Sequence, residues 1–295
     1  MSSLTATKET KEKLVFQSPA KVNLGLEVLG KRSDGYHSIR TILVPISLHD
    51  TITITPGGKK FVFHGGQGAP KDDGNLAWRA VHLLAERTGT RHGLDLKVVK
   101  RIPIAAGLGG GSSNAATVLK ALNELWELNL GAAELERIGL ELGSDVPFFL
   151  RGGACFAGGR GEQLQKITAI GGVELVLVAP PLKVSSQWAY ENIPAELTRS
   201  GSSTSMIKVA LASHRVELLA AHLSNDLESG VVAKHPMIAD IKEKLVAAGA
   251  LGAQMSGSGP TVFGLAATSA DADRIAEAME ETGLGKVIRA SFLVG

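Results

Sequence analysis

Apolar and polar positions alternate along residues 14–29, with Val22, Leu24, Leu26 and Val28 on one face, and this spacing predicts a strand. Ser33-Asp34-Gly35 is a turn signal, and residues 38–44 read as the returning strand. The β-branched alternation of Asp50-Thr51-Ile52-Thr53-Ile54-Thr55 predicts a further strand, and Phe61-Val62-Phe63 another, ending in a glycine-rich loop over 65–68. A helical period follows in Ala77, Val81, Leu84 and Ala85, with Asn75 as cap and Gly89 as stop. Residues 94–99 read as a strand and 113–125 as a helix. Leu135, Ile138 and Leu142 mark another helix that Gly143 stops, and Pro147 suits the first turn of a short one. Strands are expected at 154–157 and 175–178, within 253–265, and at 287–293. Helices are expected at 207–211, extending toward 223, at 236–248 and at 271–282. Residues up to about 13 read as a loose tail, and 198–205 (TRSGSSTS) as a mobile linker. Strands and helices alternate irregularly, so an α+β chain of two domains fits better than one doubly wound sheet. We expect the domains at 1–165 and 166–295, with 287–293 a candidate to return to the first.

Composition narrows the classes. The chain of 295 residues is 44% hydrophobic and 20% charged, which are globular rather than disordered proportions. Thirty-one basic against 29 acidic residues are scattered, which leaves no footprint for nucleic acid. No apolar run approaches the ~18 residues of a membrane span, and the polar start has no signal-peptide core, so a cytoplasmic protein is expected. Cys155 is the single cysteine, which excludes an internal disulfide and a cysteine zinc site; it reads as a small buried hydrophobe.

The chemistry concentrates in Pro103-Ile104-Ala105-Ala106-Gly107-Leu108-Gly109-Gly110-Gly111-Ser112-Ser113, between a strand and a helix. Glycines allow close backbone approach and positive φ, and a helix start presents N–H groups and the positive dipole end to an anion. The combination suits a polyphosphate. Walker A fails because no lysine follows Gly111, and the dinucleotide fingerprint fails at Ser112. Ser113 also reads as a plain helix cap. Asp145, in Ser144-Asp145-Val146-Pro147, reads alone as an N-cap. Ser256-Gly257-Ser258-Gly259 reads as a tight turn or as a second set of N–H donors. Tyr36 and His37 read alone as hairpin-edge residues, and Lys21 as a strand lysine.

Taken together these segments resemble the GHMP small-molecule kinases, the superfamily of galactokinase, homoserine kinase and mevalonate kinase. The loop at 103–113 is similar to that family's phosphate loop throughout. Ser18-Pro19-Ala20-Lys21-Val22-Asn23-Leu24, the run Arg32-Ser33-Asp34-Gly35-Tyr36-His37, the run Leu142-Gly143-Ser144-Asp145-Val146-Pro147-Phe148-Phe149 and Met255-Ser256-Gly257-Ser258-Gly259 resemble the branch acting on a cytidine diphosphate ester of a methyl-erythritol in the non-mevalonate route to isoprenoids. The resemblance implies an N-terminal domain of the ribosomal-protein-S5 type and a ferredoxin-like C-terminal domain. It implies an ATP-dependent kinase using Mg²⁺, with Lys21 and Asp145 as catalytic pair and residues 103–113 holding the ATP phosphates; Ser112 and Ser113 would be metal-ligand candidates. Asn23, Tyr36, His37, Ser186 and Tyr190 would lie at the small-molecule substrate, the Tyr36 and Tyr190 rings on its cytosine. Ser186 stands where many relatives carry Thr, and Trp188 is the alternative to Tyr190. A sibling kinase for homoserine or mevalonate, and a non-catalytic nucleotide sensor, are the rival readings.

Overall fold

The computed structural model describes residues 12–58, 60–65, 70, 74–90, 92–193 and 203–293. The first eleven residues of the expected tail, most of the 65–68 loop and most of the 198–205 linker lie outside the described residues. Ser203 to Ser205, the end of that linker, belong to a helix.

The chain opens with two long strands, β1 (Leu14–Lys31) and β2 (His37–Pro56), paired antiparallel. We expected two strands where β2 is one. Pro45 does not end it, because the shift of register at Pro19/Ala20 absorbs the extra residues of β2 and Leu293 N–H donates to the Pro45 carbonyl. β3 (Phe61–His64) follows, then α1 (Leu76–Thr88), β4 (Leu94–Val99), α2 (Gly110–Leu125), α3 (Ala132–Leu142) and α4 (Val146–Arg151). The Asn75 side chain caps α1 at the N–H groups of Ala77 and Trp78, and Gly89 ends it at φ 68°. β5 (Cys155–Gly158) and β6 (Gln163–Lys166) follow; with a two-residue strand from the second half, β8 (Ser224–Asn225), the described residues form a seven-stranded sheet ordered β3-β4-β2-β1-β8, with β5 on β2 and β6 on β5.

The second half runs β7 (Glu174–Ala179), α5 (Ser186–Glu191), α6 (Ser203–Ala212), α7 (Val216–Ala221), β8 (Ser224–Asn225), α8 (Glu228–Lys234), α9 (Met237–Ala247), β9 (Gly252–Met255), β10 (Val262–Ala266), α10 (Ser269–Glu281) and β11 (Lys286–Ser291). Its antiparallel sheet is ordered β11-β7-β10-β9. The expected helix toward 223 breaks at His214, which takes φ 55°, so α6 and α7 are separate. Pattern reading missed α5, β6, β8, α8 and β9, the first of the two strands within 252–266, all of which are too short to show a period. The final strand stays in the second sheet, and only its end reaches back: Phe292 bridges Ile46.

Three apolar layers hold this together. Helices α1 to α4 bury Leu84, Leu119, Ile138 and Phe148 against Ile52, Ile54 and Leu96 of the first sheet. The opposite face of that sheet, through Val22, Leu24 and Val44, meets Leu177 and Phe263 of the second. The second sheet's far face, through Val176 and Val262, is covered by α9 and α10. β1 is thus covered on both faces, and every residue from Ala20 to Leu26 is buried. Cys155 is fully buried, as expected. Among the described residues no helix is long and apolar enough to cross a membrane.

Candidate active site

A cleft of about 1320 Å³ brings together Lys21, Asn23, Tyr36, His37, Asp145, Ser186, Tyr190, residues 103–112, Gly257 and Ser258. Its floor is the glycine loop. Ala105, Gly107 and Gly109 take positive φ (53°, 75° and 67°), and Gly109 turns the chain into α2. The helix starts three residues earlier than the sequence pattern placed it, so Gly110 to Ser113 form its first turn. Gly110 is therefore glycine for space rather than for φ: a Cβ there would stand 2.9 Å from Ile102 and 3.1 Å from Lys100 Nζ. Ser113 is neither the cap nor a cleft residue. It is fully buried beneath the loop, 2.8 Å from Ser18 Oγ, while Ser112 faces the cleft.

Lys21 is only 4% exposed. Its Nζ donates to Asn23 Oδ1 at 2.5 Å and to the Gly107 carbonyl at 2.8 Å, and lies 4.0 Å from Asp145 Oδ2. Burial pulls the ammonium below the ordinary lysine range, and the Asp145 charge offsets part of that. Asn23 is fixed in turn: its Nδ2 donates to Thr41 Oγ1, which donates to the Gly25 carbonyl. Asp145 sits at the start of α4, yet its side chain makes no capping bond and its carboxylate is 40% exposed toward the cleft. The capping alternative therefore has no hydrogen bond behind it.

The second glycine loop splits. Gly257 and Ser258 line the cleft, and Ser258 Oγ is 2.9 Å from Ser186 Oγ. Ser256 is buried and its hydroxyl donates to the Gly107 carbonyl, while the Gly259 N–H is held by the Ser256 carbonyl. Ser256 thus braces the first loop and the Gly259 N–H closes its own turn, so neither donor is offered to an anion.

At the other end of the cleft are rings. His37 and Tyr190 stack at 5.5 Å and 17°, linking β2 to α5. Burial, with the Asp145 charge second, pushes the Tyr190 phenol well above its ordinary range. Tyr36 is 54% exposed, with the Arg160 guanidinium 4.7 Å over its ring. Trp188 is not in the cleft; it packs with His235 and under Lys234. Pattern reading missed Thr41, Lys100 and Arg160. Only a knowledge of β1–β2 register and of the β5–β6 turn would have found them.

A cleft with a glycine-rich helix start, a buried lysine and an exposed carboxylate is the layout of a phosphotransferase. The family profile for the GHMP kinases N terminal domain matches residues 75–153, and that for the GHMP kinases C terminal domain residues 207–284. The chain belongs to the GHMP kinases. It is 45% identical over 270 residues to 4-diphosphocytidyl-2-C-methyl-D-erythritol kinase of Geobacter sulfurreducens, covering 91% of this chain and 95% of that one. The same-named enzyme of Acetivibrio thermocellus is 42% identical over 255 residues, with 86% and 90% covered. A crystal structure of 4-(cytidine 5'-diphospho)-2C-methyl-D-erythritol kinase superposes with a TM-score of 0.85 at 35% identity, covering 96% of this chain and 100% of that one. Homoserine kinase from Cytophaga hutchinsonii shares the fold, with a TM-score of 0.77 at 19% identity over 99% of this chain and 98% of that one.

Proposed function

We propose that this chain transfers the γ-phosphoryl group of ATP to the 2-hydroxyl of 4-diphosphocytidyl-2-C-methyl-D-erythritol, on the non-mevalonate route to isoprenoids. The observation that carries the reading is Lys21 Nζ 4.0 Å from Asp145 Oδ2 over the glycine loop, with aromatic rings at the far end of the same cleft. The names of relatives 42–45% identical support the substrate.

In this reading the N–H groups of residues 107–112 and the positive end of α2 receive the ATP phosphates. Ser113 supports that turn from behind. Asp145 takes the proton of the acceptor hydroxyl as its oxygen bonds to the γ-phosphorus, and the bond to the β-phosphate oxygen breaks to release ADP. Lys21, oriented by Asn23 and Gly107, keeps Asp145 ionised and offsets charge on the transferring group. Tyr36 and Tyr190 supply faces for the cytosine, with His37 at its edge and Ser186 nearby. Mg²⁺ enters with ATP as part of the substrate. Among the described residues no three His, Cys, Asp or Glu side chains cluster, and one carboxylate with Ser112 suits an ion that keeps waters and leans on phosphates. We divide the chain at 165/166, before the last residue of β6. A cytoplasmic location agrees with ATP as donor.

The test is turnover of the purified chain with ATP and Mg²⁺ against the ester, homoserine and mevalonate, followed by ³¹P NMR. A new phosphomonoester on the ester is expected. Comparable kcat/KM for homoserine would overturn the substrate assignment.

A further inference from the structure

Both ends of the phosphate loop are fastened by buried polar side chains that phosphoryl transfer does not itself use. At the entry stands Asp50, fully buried on β2. Its Oδ1 accepts from the backbone N–H of Arg101 at 2.7 Å and of Ile102 at 2.9 Å, and its Oδ2 ion-pairs with Lys100. At the exit stands Ser18, fully buried on β1. Its hydroxyl donates to Asn114 Oδ1 at 3.0 Å and therefore accepts from the Ser113 hydroxyl at 2.8 Å, two adjacent residues where the first turn of α2 passes into the second. Ser18 and Asp50 are direct Cα partners across the β1–β2 pair, one position before its register shift. One rung of the hairpin thus holds the strand side and the helix side of the loop.

We infer that the Ser18–Asp50 rung is a positioning device that fixes the span of the phosphate loop and so sets nucleotide affinity. It rests on the reading of this cleft as an ATP site. A buried carboxylate is costly unless paired and hydrogen-bonded. The Asp50 carboxylate directs these bonds to residues 100–102, which lead into the loop. The pairing also places charge: Lys100 lines the cleft, and its Nζ lies 3.1 Å from where a Cβ of Gly110 would stand, at the first residue of α2. Asp50 thereby holds a cation beside the positive end of the helix, where like charges would otherwise drive it away. Ser18 tethers α2 from the other side. Lys21 follows three residues later on the same strand, so loop and catalytic lysine share one frame.

The experiment compares wild type with Ser18→Ala and with Asp50→Asn, which keeps an acceptor for the two N–H groups. Calorimetry gives Kd for ATP, steady-state assays give KM for ATP and for the ester with kcat, and thermal melts report folding. Loss of hydrogen bonds to a loop of this kind should raise Kd and KM for ATP about tenfold or more in each folded variant. KM for the ester and kcat at saturating ATP should stay within about twofold. Should Asp50→Asn fail to fold, Ser18→Ala decides. A folded variant with unchanged ATP affinity overturns the inference, as does a parallel decline of ATP affinity, ester affinity and Tm. Wild type that binds ATP without phosphorylating the ester overturns the function alone, because the Kd comparison still judges the rung. Wild type that does not bind ATP overturns both.

Discussion

Replacing Asp145 by Asn separates chemistry from structure, because the structure gives this carboxylate no structural hydrogen bond to lose. It does not cap α4, it is 40% exposed, and it pairs with Lys21 at 4.0 Å. In water-screened surroundings such a pair contributes about 1 kcal/mol or less. Asn is nearly isosteric and equally good as a cap, so Tm should hardly move and both substrates should still bind. It cannot take up the hydroxyl proton. Loss of a general base costs ~10²–10⁴ in rate, equivalent to ~3–5 kcal/mol of barrier, several times the pair's share of stability. The measurement is single-turnover transfer at saturating ATP and ester, alongside calorimetric binding of each and a thermal melt. A variant with near wild-type rate would refute the reasoning and place the base elsewhere. A variant that loses substrate binding in step with rate would assign Asp145 to the pocket's shape.

Burial lowers the Lys21 pKa, so the alkaline limb of kcat/KM should fall below the ordinary lysine range, and residual activity of Lys21→Met should lack that limb. Between the lowered folded pKa and the unfolded one the unfolded chain binds more protons, so this group's contribution to stability should rise with pH over the interval in which activity falls; paired pH–rate and pH–melt profiles check both signs. Gly107→Ala should abolish the folded site, because its Cβ would meet the Ser256 carbonyl oxygen at 2.1 Å and φ is 75°. Gly111→Ala, with ordinary contact to Leu76 at 3.5 Å inside a helix, should keep or raise stability by up to ~1 kcal/mol; thermal melts giving the reverse order would refute the loop geometry. Tyr36→Ala should lower kcat/KM for the ester by the ~1–3 kcal/mol of base stacking, whereas Trp188→Ala should leave KM for the ester unchanged.

Local chemistry was the legible part. Asn75 and Gly89 bound α1, and Gly143 and Pro147 frame the approach to Asp145, because caps and stops act within a few residues. The glycine loop was placed correctly, since only a close backbone approach calls for so many glycines between a strand and a helix. The helix start was misplaced at Ser113 because glycine is a poor helix former by propensity. The rule gave way to the lack of room beside Ile102 and Lys100. Partners distant in sequence were not legible. That Lys21 meets Asp145, that Ser113 turns inward to Ser18, and that Pro45 continues a strand all depend on elements brought together only by the completed fold.

Pro45, the residue paired across the hairpin with Lys21, receives its hydrogen bond from Leu293, and Ser47 Oγ receives one from Ser291 N–H, 244 positions away. The partner of the strand that carries Lys21 is therefore finished by a segment synthesised long after it. During translation the N-terminal hairpin must wait, with its outer positions unpartnered, until residues 291–293 emerge and close over it. Contacts of such sequence separation form late and slow folding. A nascent chain stalled before residue 290 would hold the complete glycine loop with Lys21 and Asp145, yet lack the clasp that joins the two sheets beside them.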